Sequence, residues 1–229
     1  MAVPATTGQL RTRVPDLMTG DYIVCDYTSI ANMVGTFSNI GGQVLVEIPT
    51  LGTESPYGSF YFIKVDKGLL VADRVVQVFV SWDVLNAGRV IQGKPQTFGT
   101  VSGIIRSLTG GVAYADSDGN KATTEQGYGG WPTNNEWDTY IVNFPSYLIQ
   151  SGKTLDDVFH VDYNATFCQD PAMVGLKHVN TPTLSATYAH RIFRGVETTS
   201  NTHKTVGFAS SNIAYGWVGF RPVFEYKEV

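Results

Sequence analysis

The stretch WPTNNEWDTYIVNFP, residues 131–145, reads as a helix with a signal at each end. Thr133 followed three residues later by Glu136 has the spacing of a capping box, in which each side chain takes up a backbone N–H that the first helical turn leaves without a partner. Pro132 precedes the cap and Pro145 stops the run. Between them Trp137, Tyr140, Ile141 and Phe144 fall at i, i+3, i+4 and i+7, one apolar stripe that packs on a sheet or core. Such a helix, in a chain otherwise written as short strands and glycine-rich loops, predicts an α+β fold in which a few helices support largely antiparallel sheets.

Outward from this stretch, segments rich in β-branched and aromatic residues read as strands: DYIVCDY (21–27), QVLVEI (43–48), GSFYFIKV (58–65) and RVVQVFV (74–80). SWDVLNAG (81–88) follows at once and predicts a short helix, with Ser81 as N-cap, Gly88 as stop, and Trp82 and Leu85 buried. Residues 151–210 show weak periodicity and many Gly, Thr, Asn and Ser, which predicts long loops. The chain closes on YGWVGFRPVFEYKEV, where Trp217, Phe220, Val223, Phe224 and Tyr226 are strand formers and Pro222 belongs at an edge or a strand start.

Composition narrows the function. With 229 residues, 43% hydrophobic and 16% charged, the chain is too apolar for disorder, and a single domain over 1–229 is the expected organisation. No apolar run approaches the length of a membrane span, so membrane insertion is not expected. The formal net charge of -4, with Lys and Arg scattered, argues against nucleic acid as a partner. The start, MAVPATTGQLRTRVPD, lacks the charged-then-apolar pattern of a secretory signal, which points to synthesis in the cytoplasm. Cys25 and Cys168 are far apart and neither has a second Cys nearby, so a Cys-x-x-Cys metal site is excluded. Cys25 lies in an apolar run and reads as a buried small hydrophobe, whereas Cys168 sits in a loop-like setting.

Three stretches in order carry a resemblance: VVQVFVSWDVLNAG, GGWPTNNEWDTYIV, and RIFRGVETTSNTHKTVGFASSNIAYGWVGFRP. Together they resemble the domain shared by formylglycine-generating enzymes and their non-enzymatic relatives, a variant of the C-type lectin fold. The match covers roughly residues 70–226; residues 1–70 read as a leading β-rich part or an attachment module. The expected Arg-Gly-Gly is Arg194-Gly195-Val196 here, and Gly-Phe-Arg at 219–221 is intact. The oxidase members hold copper on a pair of cysteines near the C-terminal motif. No cysteine follows Cys168, so that activity is not expected.

The layout also looks like that of virion-surface proteins encoded by bacteriophages and prophages, tail fibres among them. In phage variable proteins of this fold, loop residues between the Arg-Gly-Gly-like and Gly-Phe-Arg-like motifs touch the target. On that resemblance the contact residues are Thr198, Asn201, His203, Lys204, Asn212 and Tyr215. The residues themselves add Tyr128 and Trp131, two aromatics among flexible glycines, suited to stacking on sugars or anchoring a protein interface.

Catalytic readings are weaker. Asp116-Ser-Asp118-Gly-Asn120 offers oxygens to calcium, but Gly119 and Glu125 miss the EF-hand positions, and a solvated turn explains the same residues. DDVFHVD places Asp156, Asp157, His160 and Asp162 together, as a metal or acid–base site would, although a cap at Thr154 and Asp157 accounts for the carboxylates. No catalytic residue, metal or cofactor is therefore expected. The expected function is a non-enzymatic phage or prophage protein at the virion surface, of tail-fibre or receptor-binding type. Its expected partners are a host cell-surface glycan or protein, and it is expected to form a homo-oligomer. The alternatives are a capsid decoration or head-fibre protein that holds neighbouring virion proteins and, behind it, a metal-dependent enzyme.

Overall fold

Alternation in DYIVCDY sends Ile23, Cys25 and Tyr27 to one face of a strand, and the structure builds outward from that face. The computed structural model of the chain describes residues 2–195 and 202–228. In chain order its strands are β1 (Leu10–Arg11), β2 (Tyr22–Thr28), β3 (Thr36–Ser38), β4 (Tyr57–Asp66), β5 (Leu69–Ala72), β6 (Lys94–Phe98), β7 (Val101–Arg106) and β8 (Ala113–Ala115). They continue as β9 (Lys121–Ala122), β10 (Gly130–Trp131), β11 (Ala165–Pro171), β12 (His190–Arg194), β13 (Val206–Ser210), β14 (Val218–Gly219) and β15 (Val223–Tyr226).

An eight-stranded sheet runs β1-β2-β4-β5-β15-β7-β6, with β3 beside β2. A four-stranded sheet runs β13-β12-β11-β14, and a small sheet runs β10-β8-β9. The pairs β1–β2 and β11–β14 are parallel; the other pairs named here are antiparallel.

The large sheet is buried on both faces over its centre, which is why β4 and β5 read as continuous apolar runs. Phe60, Phe62, Leu70 and Phe224 face the main core together with Phe167 and Phe193 of the four-stranded sheet. Ile63, Val71 and Val223, one residue out of phase, face a second core with Trp137, Ile141, Phe144 and Phe159. Each fully buried aromatic in these layers contributes on the order of 1.5–3 kcal/mol. Residues 1–70 supply β1 to β4 and share this sheet with β15 and β7.

The α+β expectation is overturned: the chain is mostly β, and its helices are short. The first α-helix, Trp82–Ala87, has six residues and the second, Asp156–Phe159, has four. The stretch 131–145 makes one turn of α-helix and then widens into the π-helical turn Asp138–Val142. Its cap is not Thr133, which is exposed. Asn135 Oδ1 accepts the Asp138 N–H at 2.9 Å, so the helix starts two residues late and meets Pro145 before it can lengthen. The partner assigned to Thr133 is drawn elsewhere: the Glu136 carboxylate accepts two hydrogen bonds from Arg106 at 2.5 and 2.7 Å. It also accepts the Thr109 N–H, while the Glu136 N–H donates to Thr109 Oγ1, both at 2.9 Å. The reciprocal pair therefore exists, but with Thr109, 27 residues away. The apolar stripe is as expected, with Trp137, Ile141 and Phe144 buried and Tyr140 partly so.

Other expectations also change. QVLVEI forms no strand: Ser59 of β4 takes the carbonyl of Val46 and the N–H of Ile48, and Leu45 stays exposed. RVVQVFV is buried but forms only isolated bridges at Gln77, because Phe79 turns into the left-handed region at φ +52 and faces out. Residues 151–210 do hold long loops, but they also contribute β11, β12 and β13 and, with Tyr114, a third core around Cys168, Ile192, Val206 and Phe208. Cys168 is thus in a strand and fully buried, as is Cys25, and burial pushes both thiols up. In the first α-helix the local reading holds: the Val84 N–H donates to Ser81 Oγ, Gly88 follows the last turn, and Trp82 and Leu85 are buried. Pro222 sits at the start of β15.

Candidate functional site

Two of the three stretches with the family resemblance, the one that holds Trp137 and the one that runs from Arg191 to Pro222, meet around one indole ring. The guanidinium carbons of Arg194 and Arg221 both lie 5.8 Å from the centre of the Trp137 ring. Trp137 Nε1 donates to the His203 carbonyl at 2.7 Å. Gly195, at φ +77, leaves room for the indole, because a Cβ there would lie 3.3 Å from the ring.

Arg194 is fully buried and saturated. It donates to Asp138 Oδ1 at 2.5 Å, to Asp138 Oδ2 at 3.2 Å, and to the carbonyls of Gly110, Thr205 and Lys204. Asp138 Oδ2 also accepts the Gly130 N–H and the Asn135 amide, at 2.9 and 2.6 Å. This network ties the GYGG loop, the helix start and the turn at 202–204 into one wall. Arg221 differs, for its guanidinium meets Thr166 Oγ1 and the carbonyls of Ala72 and Phe159, and Nη2 has no partner among the described residues. Burial lowers its pKa to about 10.

Outside that wall lies a cleft of about 140 Å³, lined by Tyr128, Thr133, Asp138, Val142, Asn143 and Lys204. It brings together two of the expected contact residues, Tyr128 and Lys204, from chain positions 76 residues apart. The Tyr128 ring is 56% exposed. Thr133, Asn143 and Asp138 were not foreseen as site residues, because the stretch that holds them reads as a helix and its ends.

The remaining expected contact residues are placed elsewhere or lie outside the description. His203 is half-buried, with its carbonyl on Trp137, and burial and then Lys204 lower its pKa. Trp131 is half-buried in β10 with the Lys121 ammonium 5.4 Å above its ring, so it is a packed residue more than a free platform. Tyr215 packs against the main core with its ring 5.2 Å from the half-exposed Trp217 ring, and Asn212 is exposed nearby in sequence. Thr198 and Asn201 lie outside the described residues.

The catalytic alternatives have local explanations. Thr154 N–H and Oγ1 both donate to Asp157 Oδ2, at 2.8 and 2.9 Å, and Asp156 Oδ1 accepts the Asp162 N–H. His160 is buried in the left-handed region, and burial lowers its pKa. Asp116 Oδ1 closes its own turn on the N–H groups of Asp118 and Asn120. Among the described residues no group of three or more His, Cys, Asp or Glu side chains gathers as a metal site, and no helix is long and apolar enough to cross a membrane.

No family model, curated protein or solved structure matches the chain.

Proposed function

We propose that this chain is a non-enzymatic surface protein of a bacteriophage or prophage virion, of tail-fibre or receptor-binding type. It recognises a host cell-surface glycan and works as a homo-oligomer. The resemblance to formylglycine-generating-enzyme-like proteins, carried by the stretches around Trp82, Trp137 and Arg194 to Arg221, supports the reading.

The observation that carries it is the Tyr128–Lys204 cleft. An exposed aromatic ring at the rim, a hydroxyl at Thr133, an amide at Asn143 and an ammonium at Lys204 are the groups that stack on a sugar face and bond its hydroxyls. The Asp138 carboxylate at the floor is held by Arg194 and is not a base awaiting a substrate.

The test is binding of the labelled protein to whole cells and isolated walls of candidate hosts. Tyr128→Ala and Lys204→Ala, both still folded, are expected to lose saturable binding. Saturable binding that both variants retain would remove the cleft from the reading. No binding to any host would turn the assignment to the capsid decoration role, with particle assembly as the next assay.

A further inference from the structure

A second groove, sharing no residue with the cleft above, lies on the outer face of β2, β3 and β4. It is about 190 Å³ and is lined by Asp26, Thr28, Ser38, Leu45, Val46 and Tyr57, with Gly58 at its base. Strand register sets its floor: Ser38, Asp26 and Ser59 stand in one row across the three strands, with Thr36, Thr28 and Tyr57 in the next. These positions are out of phase with Cys25, Tyr27 and Phe60, which fill the core behind.

Asp26 is only 7% exposed, yet among the described residues its two oxygens accept from neutral donors alone. Ser59 Oγ donates to Oδ1 at 2.5 Å and Asn39 Nδ2 donates to Oδ2 at 2.9 Å. Asn39 adopts the left-handed region, φ +51, where it presents that amide. Among the described residues no Lys or Arg forms an ion pair with Asp26, whereas Asp21, Asp73 and Asp138, also buried, each have an arginine. Above this floor the rim is apolar and exposed: Tyr57 is 72% exposed, Leu45 70% and Val46 55%.

We propose that this groove binds a single lysine side chain presented by a flexible segment of a partner protein. The charges are complementary, because a buried carboxylate without a counter-ion gains most from an ammonium brought to it with hydrogen bonds. The rim suits the rest of the side chain: the methylenes lie along Leu45 and Val46, and the Tyr57 ring offers its face to the cation. Volume admits the same occupant, since a groove of about 190 Å³ has room for one extended side chain. The net charge of -4 adds a long-range pull on a basic segment.

The experiment is calorimetric titration of the full chain with acetyl-Gly-Lys-Gly-amide and with the same peptide carrying norleucine in place of lysine. Saturable binding of the lysine peptide is expected, weaker by roughly tenfold or more for norleucine and for Asp26→Asn, the loss of one charged hydrogen bond. Tyr57→Ala, a change at an exposed ring, is expected to weaken it by roughly two- to fivefold. Should Asp26→Asn lose its cooperative melt, Tyr57→Ala and Val46→Ser carry the test. The absence of saturable binding, equal affinity for the norleucine peptide, or unchanged affinity in these variants overturns the proposal. A preference for methyl glycosides over the lysine peptide overturns it in favour of a saccharide, and self-association abolished by Tyr57→Ala overturns it in favour of a second copy of this chain.

Discussion

Asp138 and Asp26 are both buried carboxylates at the floor of an open cleft, and they are solved in opposite ways. Asp138 is saturated by Arg194, Gly130 and Asn135, so its charge is consumed in joining three parts of the chain. Among the described residues Asp26 accepts from a serine and an asparagine and pairs with no cation, so it is hydrogen-bonded without a counter-ion. The difference teaches what each cleft selects. The first presents a hydroxyl, an amide and an ammonium around an internal ion pair, as the proposed sugar contact needs; the second presents a carboxylate without a counter-ion beneath an apolar rim, as the proposed lysine contact needs.

The largest expected effect breaks the first of these. Arg194→Met leaves Asp138 buried without its counter-charge and is expected to cost about 3–5 kcal/mol in denaturant unfolding. A loss well under that would mean Asp138 is not dependent on the pair. Asp26→Asn keeps an acceptor for Ser59 and removes no ion pair, so its expected cost is about 1 kcal/mol in the same assay. If the two substitutions cost the same, the contrast between saturated and unneutralised carboxylates fails.

The comparison extends to a buried histidine. His160 Nε2 is buried with no partner among the described residues, and burial holds its pKa below the ordinary value. Arg221 and Arg74 add to that lowering, against opposing pulls from Asp73 and Asp156. The folded state therefore binds fewer protons than the unfolded chain as pH falls below about 6.5, the unfolded value. Stability is complete above that pH and declines as pH drops toward the folded pKa. His160→Asn, which keeps a side chain tolerated in the left-handed region, is expected to flatten that decline in thermal melts from pH 7 to pH 5, leaving the smaller part due to half-buried His203. A decline unchanged in His160→Asn assigns the acid sensitivity elsewhere.

The smallest effect on stability belongs to the rim of the first cleft. Tyr128→Ala and Lys204→Ala are expected to shift unfolding by no more than about 0.5 kcal/mol while abolishing host-cell binding. A larger loss of stability would make them part of the wall instead of the contact surface.

What was legible in the sequence follows from how local each signal is. Ser81, Trp82 and Leu85 behave as read, because a cap and a two-residue apolar pair are decided within one helical turn. β2 and β4 also follow their pattern. The stripe Trp137, Ile141 and Phe144 is right, but the cap is not, because Glu136 is claimed by Arg106 and Thr109, and no local spacing reports a partner 27 residues away. QVLVEI carries strand propensity, yet it pairs with β4 through a single bridge at Ser59, and propensity does not report how far a pairing extends. Of the expected contact residues, Tyr128 and Lys204 share a cleft, while Trp131 is covered by its pairing in β10 with β8 and by Lys121. Asp26 was invisible as a site, since a lone acid inside YIVCDY reads as an interruption of a strand until Ser38 and Ser59 are set beside it.

The position of β15 has a consequence for how the protein is made. Strands β1 to β5 and the hairpin β6–β7 lie on opposite sides of Val223–Tyr226, and both bond to it. On the ribosome, the two halves of the sheet remain unjoined until residue 226 has cleared the exit tunnel. Between the emergence of residue 106 and that of residue 226 the nascent chain must carry these two open edges, and a holdase that shields them is the kind of chaperone its production would depend on.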